Sequence, residues 1–159
     1  MENTLKKILG GFILAMVTTT GFAQQQINQK DYEYTPREWK RIVKDSPNSF
    51  FRTDEAKKIA DNVLAFQRIT GGWPKNVPVH RPLGEELDIV LGDRNKRNDS
   101  TTDNDATILE MTYLARLYRQ SPEEKYKEAF LRGIEFMLSG QYENGGWPQF
   151  WPESRGYQV

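Results

Sequence analysis

The chain has 159 residues, about one ordinary domain, with 22 basic against 22 acidic residues, one histidine and no cysteine. A net charge of zero leaves no electrostatic footprint for nucleic acid, and 12% aromatic residues is too many for a disordered tail. Without cysteine there is no disulfide, thiolate metal site or thiol nucleophile, and the single His80 argues against a histidine zinc site or a Ser-His triad. Acidic, amide, cationic and aromatic side chains remain, a set suited to an oxygen-liganded cation or a carbohydrate.

Lys6 and Lys7, the apolar run Ile8 to Val17, and the small residues Gly21 and Ala23 before Gln24 read as a secretory signal over residues 1–23. The run is too short to span a bilayer. The expected location is secreted or periplasmic, with no membrane contact after cleavage. Residues 24–50 read as a polar leader and a short helix. Thr35-Pro36-Arg37-Glu38 forms a capping box with proline at the first helical position, predicting a helix to about Lys44.

A second helix is predicted from Asp54 to Gln67, capped by Thr53, with Ile59, Val63 and Phe66 at helical spacing and Gly71-Gly72 as its stop. Gly71 to Thr102 reads as one long loop rimming a cleft, with Asp88 to Leu91 ambiguous. A third helix is predicted from Asn104 to Arg119. Ile108, Met111, Ala115 and Tyr118 form its stripe and Leu109, Tyr113 and Leu117 broaden it, so it is expected to be buried on two sides. Ser121-Pro122-Glu123-Glu124 reads as a second capping box opening a helix to Ser139, with Tyr126, Phe130, Ile134 and Met137 inward. The short link makes the last two helices an antiparallel hairpin. No alternating strand pattern occurs, so the fold class is all-α.

Gln67-Arg68-Ile69-Thr70-Gly71-Gly72-Trp73-Pro74 recurs as Gln141-Tyr142-Glu143-Asn144-Gly145-Gly146-Trp147-Pro148, an offset of 74 residues. Each copy follows an amphipathic helix. Gly-Gly permits positive φ where the helix ends, tryptophan can fold back on the helix, glutamine can bond the loop backbone, and proline forces an extended exit. Trp73 and Trp147 read either as locks between repeats or as sugar platforms. Trp151 is the better candidate for an exposed platform. Two such units do not close a ring of helices, so the expectation is the N-terminal part of a longer repeat protein.

The segments Gln67 to Asn76, Ser100 to Thr107, Glu124 to Gly133 and Gln141 to Gly156 resemble polysaccharide lyase family 10, over about residues 54–157. The resemblance implies an α/α-toroid of repeated helical hairpins, incomplete here and spanning residues 51–159. It also implies a calcium-dependent pectate lyase acting on polygalacturonate or pectin oligosaccharides. In such lyases a base removes the uronate C5 proton, the 4-linked oxygen leaves, and Ca²⁺ on the carboxylate disperses the developing charge.

Carried over by motif, Asp103 matches the acidic residue at the calcium and substrate site, Asn104 an associated polar residue, and Lys127 a lysine that pairs with a substrate carboxylate. Thr102 departs from the family motif, where an apolar residue is usual. From the residues alone, Asp103 also reads as a helix cap and Thr102 with Asp105 as a capping box, Lys127 as a solvated charge, and His80 as a loop residue. Arg94, Lys96 and Arg97 read either as aids to polyanion binding or as a solvated loop.

The general base implied by the resemblance is an arginine beyond Val159. Arg132 and Arg155 stand in structural or turn contexts, so the chain alone is expected to be inactive. Two alternatives stay open: a non-catalytic uronan-binding protein using Trp151, Lys127 and Asp103, and, ranked last, an α/α-toroid glycosidase, which needs a pair of carboxylates where Glu110 and Glu135 are helix residues without a motif.

Overall fold

The computed structural model describes residues 36–153. The signal segment, Thr35 as a cap, Arg155 and Gly156 lie outside the described residues. The helices are α1 (Pro36–Asp45), α2 (Asp54–Phe66), α3 (Leu87–Gly92), α4 (Ile108–Gln120) and α5 (Glu124–Ser139), with 3₁₀ turns at Phe50–Arg52, Asp93–Asn95 and Asp103–Asp105. Pairing outside helices among the described residues is limited to two isolated bridges, Pro74 with Ser100 and Thr101 with Phe150. No helix among the described residues is long and apolar enough to cross a membrane.

α4 is the central helix and packs against α1, α2 and α5, as its wide apolar face requires. Its Tyr113, Leu114 and Leu117 are fully buried. The Tyr113 hydroxyl donates to Ala56 O at 2.8 Å, which satisfies a phenol that burial would otherwise penalise. Trp39 and Val43 carry α1 into the same core, so the boundary drawn at residue 50 runs through one packed unit. Arg116 donates to the carbonyls of Val43, Lys44 and Ser46 and so closes the C-terminal end of α1. Thr53 caps α2 as expected, its Oγ1 accepting from Ala56 N at 3.2 Å.

Several expectations need correction. α4 begins at Ile108, four residues later than predicted, because Asn104, Asp105 and Thr107 all hold positive φ. The capping box at Thr102 and Asp105 does not form: Thr102 makes no side-chain cap and Asp105 pairs with Lys40 at 2.7 Å. The Thr107 hydroxyl is spent on Trp73 N and Thr101 O, and Glu110, at the third helical position, faces the Thr107 amide instead. The later start leaves Ile108 41% exposed and centres the buried face on Leu114.

α5 starts at Glu124, not at Pro122, since the Ser121 hydroxyl donates to Phe51 O and its amide ends α4. Its buried face is Tyr126, Ala129, Gly133 and Phe136; Phe130, Ile134 and Met137 are only partly buried. Gly133 fixes that phase, for a Cβ there would lie 2.7 Å from the Met111 side chain. The long loop is also not structureless, as Asp88 to Leu91 lies within α3.

Candidate substrate and cation site

The two repeated turns share one backbone design. Gly71 and Gly145 take φ of 92° and 86°. Gln67 Nε2 donates to Gly71 O at 2.8 Å, and Gln141 Nε2 to Gly145 O at 3.2 Å. The indole N–H of Trp73 donates to Val63 O and that of Trp147 to Met137 O, both at 2.7 Å and both ten residues back. Each tryptophan thus caps the helix it follows, which is the locking role. Trp73 has no exposed surface for a sugar.

The exits of the two turns meet. Lys75 follows the first Trp-Pro and Gln149 follows the second, so they are equivalent positions of the repeat. Both donate to the same oxygen, Asp103 Oδ2: Lys75 Nζ at 2.5 Å and Gln149 Nε2 at 2.7 Å. The segment Ser100 to Asp103 runs between the exits. Thr101 N donates to Trp73 O on one side, and Trp151 N donates to Ser100 O on the other. Arg68, 5% exposed, holds the near end of that segment through a two-pronged contact with Asp99.

Asn104 Nδ2 donates to Asn76 Oδ1 at 3.0 Å. Asn76, Asn104, Asp105 and Thr107 are the non-glycine residues with positive φ among those described, at 60°, 56°, 63° and 67°. Each costs about 1–3 kcal/mol, and their clustering around one carboxylate marks a site that the fold holds under strain.

Lys75 first, then Gln149, holds the Asp103 carboxyl below its ordinary pKa, so it is charged at neutral pH. Its Oδ1 accepts the Asn104 amide at 2.8 Å. With Asn76 Oδ1 and the side-chain carbonyl oxygen of Asn104 beside it, the candidate ligands are oxygens of the type that calcium prefers. They fall short in number: no cluster of three or more acidic or histidine side chains occurs among the described residues. Calcium takes about 6–8 oxygens, so water and substrate carboxylates must complete any shell here.

The cap reading of Asp103 fails, since α4 starts beyond it. Asn104 lies beside Asp103. Trp151 lies at the same end of the molecule, donating to Ser139 Oγ at 3.1 Å and covering Gly140, so it packs on the end of α5 instead of standing free. Lys127 is not brought to Asp103. It sits in the first turn of α5, paired with Glu124 at 2.8 Å, with about 18 Å of helix between it and Ser139.

His80 is a loop residue but a buried one, stacked on Trp39 with ring centroids 5.6 Å apart, and burial pushes its pKa down. Lys96 pairs with Asp93 on the surface. Arg132 donates to Gln67 Oε1, a structural role as expected. The glycosidase pair does not survive: Glu110 is 4% exposed and accepts from Trp39 Nε1 at 2.8 Å. Sequence reasoning missed Lys75, Asn76 and Gln149, although the repeat read one residue past its proline points to two of them.

No curated protein matches the chain. Among solved structures, the family 10 polysaccharide lyase from Cellvibrio cellulosa is 31% identical with a TM-score of 0.55, over 76% of this chain and 32% of that one. A mutant of that lyase in complex with trigalacturonic acid is 29% identical with a TM-score of 0.54 over the same shares. The chain thus spans about a third of the length of those structures, and its hairpins belong to an α/α-toroid. The pectic acid lyase family matches residues 67–159, more than half of the chain and the whole of the repeat described above. The chain belongs to that family, the polysaccharide lyases of family 10.

Proposed function

We propose that this chain forms one wall of the substrate site of a secreted, calcium-dependent pectate lyase that cleaves polygalacturonate by β-elimination, with the general base supplied from outside its residues. The observation that carries the reading is the convergence of Lys75 and Gln149 on Asp103, beside the strained Asn76–Asn104 pair. The trigalacturonic acid bound by the Cellvibrio lyase mutant supports the substrate class, and residues 1–23 support export.

The Asp103 carboxylate and the side-chain carbonyl oxygen of Asn104 would hold calcium, which when bound acts as a Lewis acid toward the uronate carboxylate. Lys75 offers an ammonium to the same polyanion, and Gln149 keeps the Asp103 carboxylate aimed. These groups bind and neutralise charge; none is a base for the C5 proton. Arg132 is committed to Gln67. The chain alone therefore binds uronan without turning it over, which also describes the non-catalytic alternative.

Calorimetric titration with trigalacturonate, with and without calcium, tests this. Calcium-dependent binding that Asp103→Asn removes is expected, with no near-ultraviolet absorbance from unsaturated product. Binding indifferent to both calcium and Asp103→Asn would contradict the site. Rapid growth of that absorbance would contradict the placement of the base.

A further inference from the structure

We propose that Lys75 is the built-in counter-ion of Asp103, and that it yields the carboxylate to calcium when a uronate carboxylate draws its ammonium away. The inference rests on the calcium reading above and adds an order to it: the cation and the polyanion bind each other's site into shape.

Three features carry it. Lys75 Nζ sits on Asp103 Oδ2 at 2.5 Å, with the lysine side chain 24% and the aspartate 36% exposed, so the pair is partly shielded yet still reached by solvent. The ammonium can move while its root stays fixed. Pro74 bridges to Ser100, buried Trp73 anchors the turn, and Lys75 Nζ lies 5.3 Å from the centre of the Phe150 ring. A lysine head is a compact point charge on a flexible stem, so it changes partner without the planar matching that an arginine needs.

The third feature is the repeat. The equivalent position in the second turn is Gln149, which touches the same oxygen but carries no charge. A carboxamide can turn its carbonyl oxygen toward a cation and remain in place. An ammonium has no acceptor and repels a dication at the shared carboxylate. Of the two exits, the first therefore opposes calcium while no anion is present. A polygalacturonate chain carries a carboxylate on each sugar, so its arrival gives Lys75 a new partner and uncovers Asp103. Calcium and uronan then favour each other's binding to the same extent, as linkage demands.

The test titrates calcium alone into the chain and three variants, Lys75→Met, Lys75→Arg and Asp103→Asn, with circular dichroism to establish folding. Lys75→Met should bind calcium at least roughly 30-fold more tightly, the scale of one unit charge removed about 4 Å from a dication even in a water-like dielectric. Lys75→Arg should bind no more tightly than the parent, and Asp103→Asn should lose saturable binding. Should Lys75→Met fold poorly, Lys75→Gln reproduces the Gln149 chemistry and gives the same reading. Equal calcium affinity in the parent and Lys75→Met overturns the counter-ion while leaving the calcium reading intact. Absence of saturable binding in the parent and in both neutral variants overturns both.

Discussion

In the first turn Gly71 lies so close to the chain of α5 that an added Cβ would sit 2.2 Å from Arg132 O, whereas Gly145 in the second has nothing within 4 Å. Gln67 is buried and reaches Ala129 O and Arg132 as well as its own loop; Gln141 is exposed and reaches only Gly145. Trp73 is fully covered, and Trp147 is 37% exposed. Yet the two turns make the same hydrogen bonds at the same offsets. The eight-residue motif therefore dictates the turn by itself, and packing against the next hairpin is added to it. One copy has become part of the core, while the other remains a rim whose work lies in its exit residue.

That contrast can be broken or sharpened by paired substitutions. Trp73→Ala should cost about 3–5 kcal/mol, as large core truncations do, and Trp147→Ala about 1–2 kcal/mol because much of its ring is already wet. Urea unfolding of the two variants measures the gap; equal losses would mean that the second turn is as buried as the first. Gly71→Ala should cost about 3 kcal/mol or more, since a clash with Arg132 O adds to the strain of positive φ, while Gly145→Ala should cost about 1 kcal/mol for the strain alone. Similar melting shifts for the two would contradict the difference in their surroundings.

A smaller difference is expected in pH dependence. Glu110 faces the Thr107 amide, next to the first turn, and burial pushes its pKa from the ordinary 4.5 up to about 7. The folded state then holds that proton more tightly than the unfolded state. Stability contributed by Glu110 is highest below about pH 4.5, falls as pH rises through 7, and differs by about 2–3 kcal/mol across that window. Asp103 and Glu38 act in the opposite sense, since their pKa values are lowered and their stabilisation is lost only at lower pH. His80, whose pKa burial pushes below 6.5, contributes the opposite slope in the same range, so the difference is the readout: between pH 4.5 and 7.5 the unfolding midpoint of the parent should fall relative to that of Glu110→Gln. A parallel course in both would assign the slope to other groups.

Local signals were the legible ones. The α2 cap at Thr53, the Gly-Gly stop, the inward fold of both tryptophans and the α4–α5 hairpin all follow from short-range rules, and the structure obeys them. The start of α4 was not legible. A Ser/Thr-Asp-Asn-Asp run caps a helix in isolation, and only Trp73 N and Thr101 O, reached through the fold, divert Thr107 and push the helix back to Ile108. Likewise Ser121 lost its cap to Phe51 O, 70 residues earlier in sequence. The carboxylate at the centre of the site was visible as a motif, but its partners Lys75 and Gln149 were not. Their meeting depends on two turns 74 residues apart converging on one segment.

A crystal structure of the chain soaked with calcium and trigalacturonate tests the site most directly. The account predicts a cation on Asp103 and Asn104, a uronate carboxylate within reach of Lys75, and the Lys75–Asp103 contact opened. Sugar bound instead at the Lys127 end of α5, with Lys75 still closed on Asp103, would contradict it.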